Sequence, residues 1–593
     1  MTILRMPASL CNNALLRRVH WFLTNLSRVQ ENLKVSLLLQ SAYPLRLRSA
    51  AVLLTLLSLC LPGLVQDKAA QTRSDLSSTG SYVVNPEDFH HYVLQFQHEE
   101  QEAIGKSAPD SWPWMMANIP WFESSDAKFQ EIYYFRWYSF QKHIVHTEHG
   151  DLLNEFLFNV KWAGYGNTVA VAVPHHLREA RWLRDPKLAD DDARFWLSPV
   201  ATHNRDFSLA LADSVNAVTL ATGNSKLGLD LLPAMTANYH AWEATHQDKN
   251  GLFWSIDTRD GMEVSISGDG YRPTLNSYMY GDAKAIQRLA ALHDDAGLSA
   301  EFAKKAVEQK QRVEAQLWNP RDEFYEVLSP AADSGIRKEV KFKDPGTTLT
   351  FSNVREEIGY IPWYFDIPAA SHAVAWKQLF DPKGFAGEFG PTTAERRSNR
   401  FRYDNPDQCQ WNGPMWGYST TQTLVGLANL LNGPPQNIIG RQEYLHLFSD
   451  YVHSHQLKLP DGSFIPWLDE ALDPDTGEWI SRRLLHERHS PLDGRGAYYN
   501  HSGFVDPLVT GLVGLRPRED NMIVLNPLLP SGAWSYFALD GLPYHGHILT
   551  ILYDETGKHY GRGVGLTLFV DGVKKGSRKD LGMLQYSLPA GAK

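Results

Sequence analysis

Cysteine is scarce in this sequence. It has three cysteines in 593 residues, and two of them, Cys11 and Cys60, fall in the first 66 positions. Only Cys409 remains beyond them, which excludes an internal disulfide framework and any zinc site built on cysteine pairs. Positive charge is short as well. The first 66 residues carry Arg5, Arg17, Arg18, Arg28, Lys34, Arg46 and Arg48 against Glu31. Removing these from the totals of 57 basic and 67 acidic residues leaves 50 against 66, a net of −16. A surface that acidic repels phosphate backbones, so nucleic acid is excluded as a partner. Long apolar runs are lacking too. The one candidate, in "RLRSAAVLLTLLSLCLPGLVQ", holds about a dozen apolar residues after Arg46 and Arg48. It is too short for a good span and reads as the end of a leader occupying 1–66, with an uncleaved anchor or a buried helix as the alternatives. The leader predicts a secreted or periplasmic protein with no stable membrane span once it is cleaved.

Several catalytic signatures are also missing. No Gly-x-Ser-x-Gly elbow and no His-Glu-x-x-His occur, and "GKHYGRGVG" lacks the Gly-Lys-Ser/Thr ending of a phosphate loop. His175, His176, His453, His455, His486 and His489 come without a matching ligand cluster. No metal site and no required cofactor are therefore expected, and the pattern leaves a structural cation undecided. Cys409 beside Gln410 reads as a packed small residue rather than a nucleophile.

What the chain has is aromatic and apolar mass, 12% and 43% of its residues, enough for a large core. A polar tether at 67–81 leads into a stretch, 82–514, that is mostly helical in pattern. In "RPTLNSYMYGDAKAIQRLAALH", Leu275, Tyr278, Met279, Ile286, Leu289 and Ala290 form one stripe, and Pro414 suits the first turn of a helix in "PMWGYSTTQTLVGLANLLN". Similar stripes run over 206–220, 230–246, 300–318, 370–379, 441–455 and 499–515, with further segments near Gln130 and Tyr360. About ten helices joined by irregular loops predict helical hairpins curled into a toroid. From 515 to 593 the pattern alternates apolar and polar residues around Asp-Gly turns, which predicts a small β domain.

Loops that converge on one mouth of a toroid are here rich in carboxylates, tryptophans and glycines. That chemistry suits a carbohydrate, because indole faces stack on sugar C–H faces while acids and amides bind hydroxyls. Cleaving a glycosidic bond needs two carboxyl groups, one protonated and one ionised. The first candidate lies in "TRDGMEVSISGDGYRPTLNS", where Asp260 and Glu263 flank Gly261 just before a helix opened by Arg272 and Pro273. The second is Glu470 in "FIPWLDEALDPDTGEW".

The order of "FQEIYYFRW", "GMEVSISGDGYRPTLNSYMYGDA", "QWNGPMWGYST" and "EALDPDTGEW" resembles the trehalase and glycoside hydrolase family 63 superfamily, most of all its mannosylglycerate-hydrolase-like branch, over about 120–514. The resemblance implies an (α/α)6 toroid and inverting hydrolysis of an α-linked mannosyl or glucosyl unit. Its acid stands in a Gly-x-Asp-Asn/Asp-x-Pro-Arg loop ahead of a Leu-Asn helix start, so the matching position here carries Glu263 in place of aspartate. That departure keeps Asp260 as the alternative acid. The family's base matches Glu470, and "QWNGPMW" matches the element that borders the sugar pocket. Gln410, Trp411, Asn412 and Trp416 are thus candidates for substrate binding, joined by Arg136 and Trp137, by Arg181, Trp182 and Asp185, and by Tyr499, Asn500 and His501. Asn500-His-Ser is also a glycosylation acceptor pattern. The reading that follows is an inverting exo-glycosidase. Its rivals are a glycosidase for another sugar such as rhamnose or arabinose, a noncatalytic glycan-binding protein, and a sugar lyase or isomerase.

Overall fold

A computed structural model describes residues 83–105, 109–330, 348–401 and 409–589. The leader, with Cys11 and Cys60, and the tether lie outside the described residues. Six inner segments close on themselves. Val173–Ala180 packs on Leu211–Thr222, that on Pro273–Leu292, that on Ile361–Tyr364, that on Gly417–Asn432 and that on Val505–Pro507, which returns to Val173–Ala180. Lys187–Trp196, Lys226–His246, Ala296–Arg312 and Arg441–Ser454 each pack outside the inner segment they follow, and Ala127–Lys142 lies against Arg441–Ser454. This alternation is the (α/α)6 toroid, and it explains the burial pattern. An inner helix is covered by the ring on one side and by its outer partner on the other, so a single stripe understates its buried surface. In Pro273–Leu292 the stripe from Leu275 to Ala290 is buried, but so are Thr274, Asn276, Ser277 and Asp282.

Local sequence sets the helix ends. Arg272 is the extended N-cap ahead of Pro273, whose fixed φ suits the first helical turn. The helix predicted to begin at Pro414 instead begins at Gly417, with Trp416 as its extended N-cap. Pro414 stays in the preceding loop, where its carbonyl accepts from the Thr393 backbone N–H and hydroxyl. The stripe predicted over 499–515 is helical only from Val505, and 370–379 forms a 3-10 helix over Ala370–Gln378. Val173–Ala180 and Lys187–Trp196 were not anticipated as helices.

The seam of the ring uses residues expected in the sugar site. Glu179 accepts from the backbone N–H groups of Phe504, Val505 and Asp506, which satisfies free donors at the start of the last inner segment. Arg181 and the Trp182 indole both bind Asp506. Arg136 binds Tyr451, His455 and Ser502 from across the closure. Buried donors and acceptors on segments far apart in sequence thus satisfy one another where the ring must lock.

The C-terminal region forms a five-stranded antiparallel sheet in the order Trp121–Ser124, Tyr536–Tyr544, His547–Asp554, Gly565–Val570 and Val573–Arg578. Its first strand comes from the helical part of the chain and covers an edge that would otherwise be left unpaired. The turn at Asp571 and Gly572 has positive φ at both residues, which is the tight hairpin geometry that Asp-Gly favours.

Candidate active site

Three loop segments that are distant in sequence are bonded backbone to backbone at one mouth of the ring. The Trp411 amide donates to the Glu263 carbonyl at 3.1 Å. Met415 and Leu472 exchange backbone hydrogen bonds of 2.9 and 3.1 Å. The three motifs "GMEVS", "QWNGPMW" and "EALDP" therefore form one wall. They enclose a cavity of ≈ 190 Å³ whose lining includes Glu155, Trp162, Glu263, Cys409, Trp411, Trp416, Glu470, Arg495 and Tyr499.

Glu263 stands on a tight turn. Gly261 has φ +80°, and a side chain there would meet Val171 at 3.0 Å. Val264, directly after Glu263, has φ 53°, a conformation that β-branched residues rarely adopt. Such strain persists where surrounding contacts over-determine the backbone, and here it aims Glu263 at the cavity. The carboxyl Oε2 accepts from the Trp411 indole at 2.9 Å and from the Cys409 thiol at 3.6 Å. The residue keeps part of its surface in the cavity, yet protein encloses the carboxyl closely. Burial is the main cause that pushes its pKa up to about 7, with Glu470 adding to the rise and the Trp411 hydrogen bond opposing it.

Glu470 is buried and ion-paired with Arg495 through Oε2. Its turn is fixed by Asp469, whose carboxylate accepts from the Glu470 amide at 2.9 Å and from Ser481 at 3.5 Å. Trp411 and Trp416 stack with ring centroids 4.3 Å apart, and Tyr418 continues the stack 4.5 Å beyond Trp416. Tyr499 lines the cavity and stacks on His501 at 3.8 Å and on Phe156 at 4.7 Å.

Asp260 is placed elsewhere. It is 1% exposed, and its oxygens accept from Arg272 at 2.5 Å, from Thr274 and from Ser255 at 3.2 Å. It neutralises a fully buried guanidinium that Asp257 also binds at 3.2 Å, and it does not line the cavity. Arg136, Arg181 and Trp182 are likewise absent from the cavity wall, being committed to the ring seam. Trp137 is buried between Tyr133 and Phe140. Asp185 is exposed and accepts from the Lys187 amide at an outer helix start. Asn500 is 4% exposed and ties down the Asn154–Glu155 segment, donating its side-chain amide to the Asn154 carbonyl and its backbone amide to the Glu155 carbonyl. That burial leaves no room for a glycan on Asn500. Gln410 and Asn412 flank Trp411 without lining the cavity, and His501 sits behind Tyr499 and Trp416.

Two charged cavity residues escaped sequence reasoning, as did the aromatic Trp162. Glu155 is the single acid in the apolar run "LLNEFLF", a signal of a buried charge, and Arg495 stands between two glycines in "DGRGAYY". A larger groove of ≈ 470 Å³, lined by Phe380, Phe385, Arg396, His446 and Asp475 among others, includes none of Glu155, Glu263 and Glu470, and size alone gives it no chemistry. Among the described residues, no group of three or more His, Cys, Asp or Glu side chains is arranged to hold a metal ion.

The family model of the mannosylglycerate hydrolase MGH1-like glycoside hydrolase domain matches residues 165–502. The chain belongs to that family. Residues 515–574 match the C-terminal domain of glycosyl hydrolase family 65. A solved structure of a protein named Sialidase is 38% identical with a TM-score of 0.77, covering 86% of this chain and 45% of that one. The family 63 mannosylglycerate hydrolase of Thermus thermophilus, solved with Tris, is 11% identical with a TM-score of 0.44, over 63% of this chain and 98% of its own. An uncharacterized protein of Borreliella burgdorferi is 32% identical over 106 residues, 18% of this chain and 22% of that protein. The chain thus spans less than half of the Sialidase structure and about a fifth of the Borreliella protein.

Proposed function

We propose that this chain is an inverting exo-glycosidase that removes one α-linked mannosyl or glucosyl unit. The observation that carries the reading is the pairing of Glu263 and Glu470 in one small cavity beside a tryptophan stack. Glu263, with its pKa pushed up to about 7 by burial, holds a proton near neutrality and supplies it to the departing glycosidic oxygen as the C1–O bond breaks. Glu470, ion-paired with Arg495, takes a proton from a water that bonds to C1 from the opposite face of the ring. The products are a sugar of inverted anomeric configuration and a free alcohol. A cavity of ≈ 190 Å³ suits one sugar ring better than the middle of a glycan, which supports exo cleavage.

A neutral glycone is favoured over a sialic acid. Arg495, the one cation among the described cavity-lining residues, is engaged with Glu470, so a carboxylated sugar would enter with no free counter-charge to pair with. We also propose export through the 46–66 leader, to be checked by sequencing the N-terminus of the mature protein.

The test is sugar release from a panel of α-mannosides, α-glucosides, rhamnosides and arabinosides by the wild type, Glu263→Gln and Glu470→Gln, with proton NMR of the first-formed anomer. Release that is lost in both variants and gives an inverted anomer is expected. Glycan binding without release by the wild type would turn the reading to a binding protein, and an unsaturated product to a lyase.

A further inference from the structure

The acid and base leave a third carboxyl in the cavity without a role. Glu155 is 2% exposed and lines the cavity with Glu263 and Glu470. The Tyr499 hydroxyl donates to its Oε1. Its Oε2 is buried and has no hydrogen-bond partner among the described residues. A buried polar atom left in that state costs stability unless something else completes it, and in a cleft that something is a ligand.

The position of Glu155 is built rather than incidental. Asn500 holds the Glu155 carbonyl through its backbone amide at 3.0 Å and the Asn154 carbonyl through its side chain at 3.1 Å. His143 bridges the Asn154 side chain and the Tyr498 carbonyl at 2.8 and 2.7 Å. Two loops separated by more than 300 residues are thereby locked so that one carboxyl faces the cavity.

We propose that Glu155 is a specificity-determining residue of the sugar site: Tyr499 holds one of its oxygens, and the other donates a hydrogen bond to one ring hydroxyl of the glycone. This rests on the glycosidase reading and deepens it. The charged and titratable groups acting on Glu155 are Glu470, Glu263, Arg495 and Tyr499. Burial first, then the two neighbouring carboxylates, pushes its pKa up to about 8, so it carries a proton at neutral pH and is a donor. A neutral donor stabilises a hydroxyl without taking part in proton transfer. A sugar that lacks the matching hydroxyl leaves the carboxyl unpaired, and sites built that way discriminate strongly.

The experiment uses the full chain carrying Glu470→Gln, which stops turnover. Binding of methyl α-D-mannopyranoside, methyl α-D-glucopyranoside and their monodeoxy forms is measured by calorimetry, alone and with Glu155→Ala or Glu155→Gln added. Glu155→Ala is expected to weaken binding of the full sugar about 10-fold and to leave binding of one deoxy sugar unchanged, the coupling that defines a direct contact. Glu155→Gln is expected to restore most of the loss, because its amide N–H also donates. Equal loss for every deoxy form, or no rescue by glutamine, overturns the role of Glu155 while the glycosidase reading stands. No binding of either sugar, joined with no release from the glycoside panel, overturns the glycosidase reading itself.

Discussion

Replacing Trp411 by phenylalanine removes one donor from the Glu263 carboxyl and keeps an aromatic ring to stack on Trp416. In the intact protein the indole donates to Oε2 at 2.9 Å, and this bond favours the charged form of Glu263 against the burial that raises its pKa to about 7. A net hydrogen bond of about 1 kcal/mol corresponds to roughly 0.7 of a pH unit. Glu263 must hold its proton to act as an acid, so wild-type activity falls as pH rises through about 7. In Trp411→Phe that descending limb moves upward by roughly 0.5–1 unit. The assay is kcat/KM against pH, which reports groups of the free enzyme. A limb that stays fixed or moves downward would refute both the hydrogen bond and the assignment of Glu263 as the acid.

Glu263→Gln lowers turnover by about 10²–10⁴-fold, the usual weight of a general acid. The same change stabilises the protein in alkali. The folded pKa of about 7 lies above the ordinary glutamate value of 4.5, so this carboxyl's contribution to stability is whole below about pH 4.5 and is lost as pH rises through about 7. The full loss is on the order of 3 kcal/mol, so Glu263→Gln should have the higher Tm at pH 8 and lose that advantage near pH 4. Equal Tm values at pH 8 would mean that the carboxyl is well solvated. Asp260→Asn weakens the pairing of the buried Arg272 and costs about 3–5 kcal/mol in denaturant unfolding. If that variant folds normally without turnover, the acid role passes to Asp260. Arg181→Met leaves Asp506 with a weakened partner set at the ring seam. It should lower Tm while KM of the folded fraction holds, and a change confined to KM would return Arg181 to the sugar site.

Periodicity made the helices of the long middle segment legible, and Asp-Gly and Gly-rich turns marked the C-terminal hairpins, because both signals arise from neighbours within one turn or one strand. The motif loops were legible for the same reason. A glycine that permits a tight turn, an acid and a nearby tryptophan lie side by side in the chain. Short elements escaped, since Val173–Ala180 has too few turns to define a stripe and is buried on nearly all sides by two inner segments and its outer partner Lys187–Trp196.

Which acids share a cavity was a matter for the tertiary structure. Asp260 and Glu263 are three residues apart in the same loop, yet Arg272 draws one into a buried ion pair while a strained Val264 turns the other toward Trp411. Arg136, Arg181 and Trp182 have the composition of a sugar site and serve the ring closure, because their partners, Ser502 and Asp506, arrive from more than 300 residues away. Glu155 gains its place by the same long-range closure. Composition and spacing determined which chemistry the chain can perform. Only the closing of the ring decided which carboxyls meet, since desolvation and charge pairing depend on neighbours that sequence separation does not reveal.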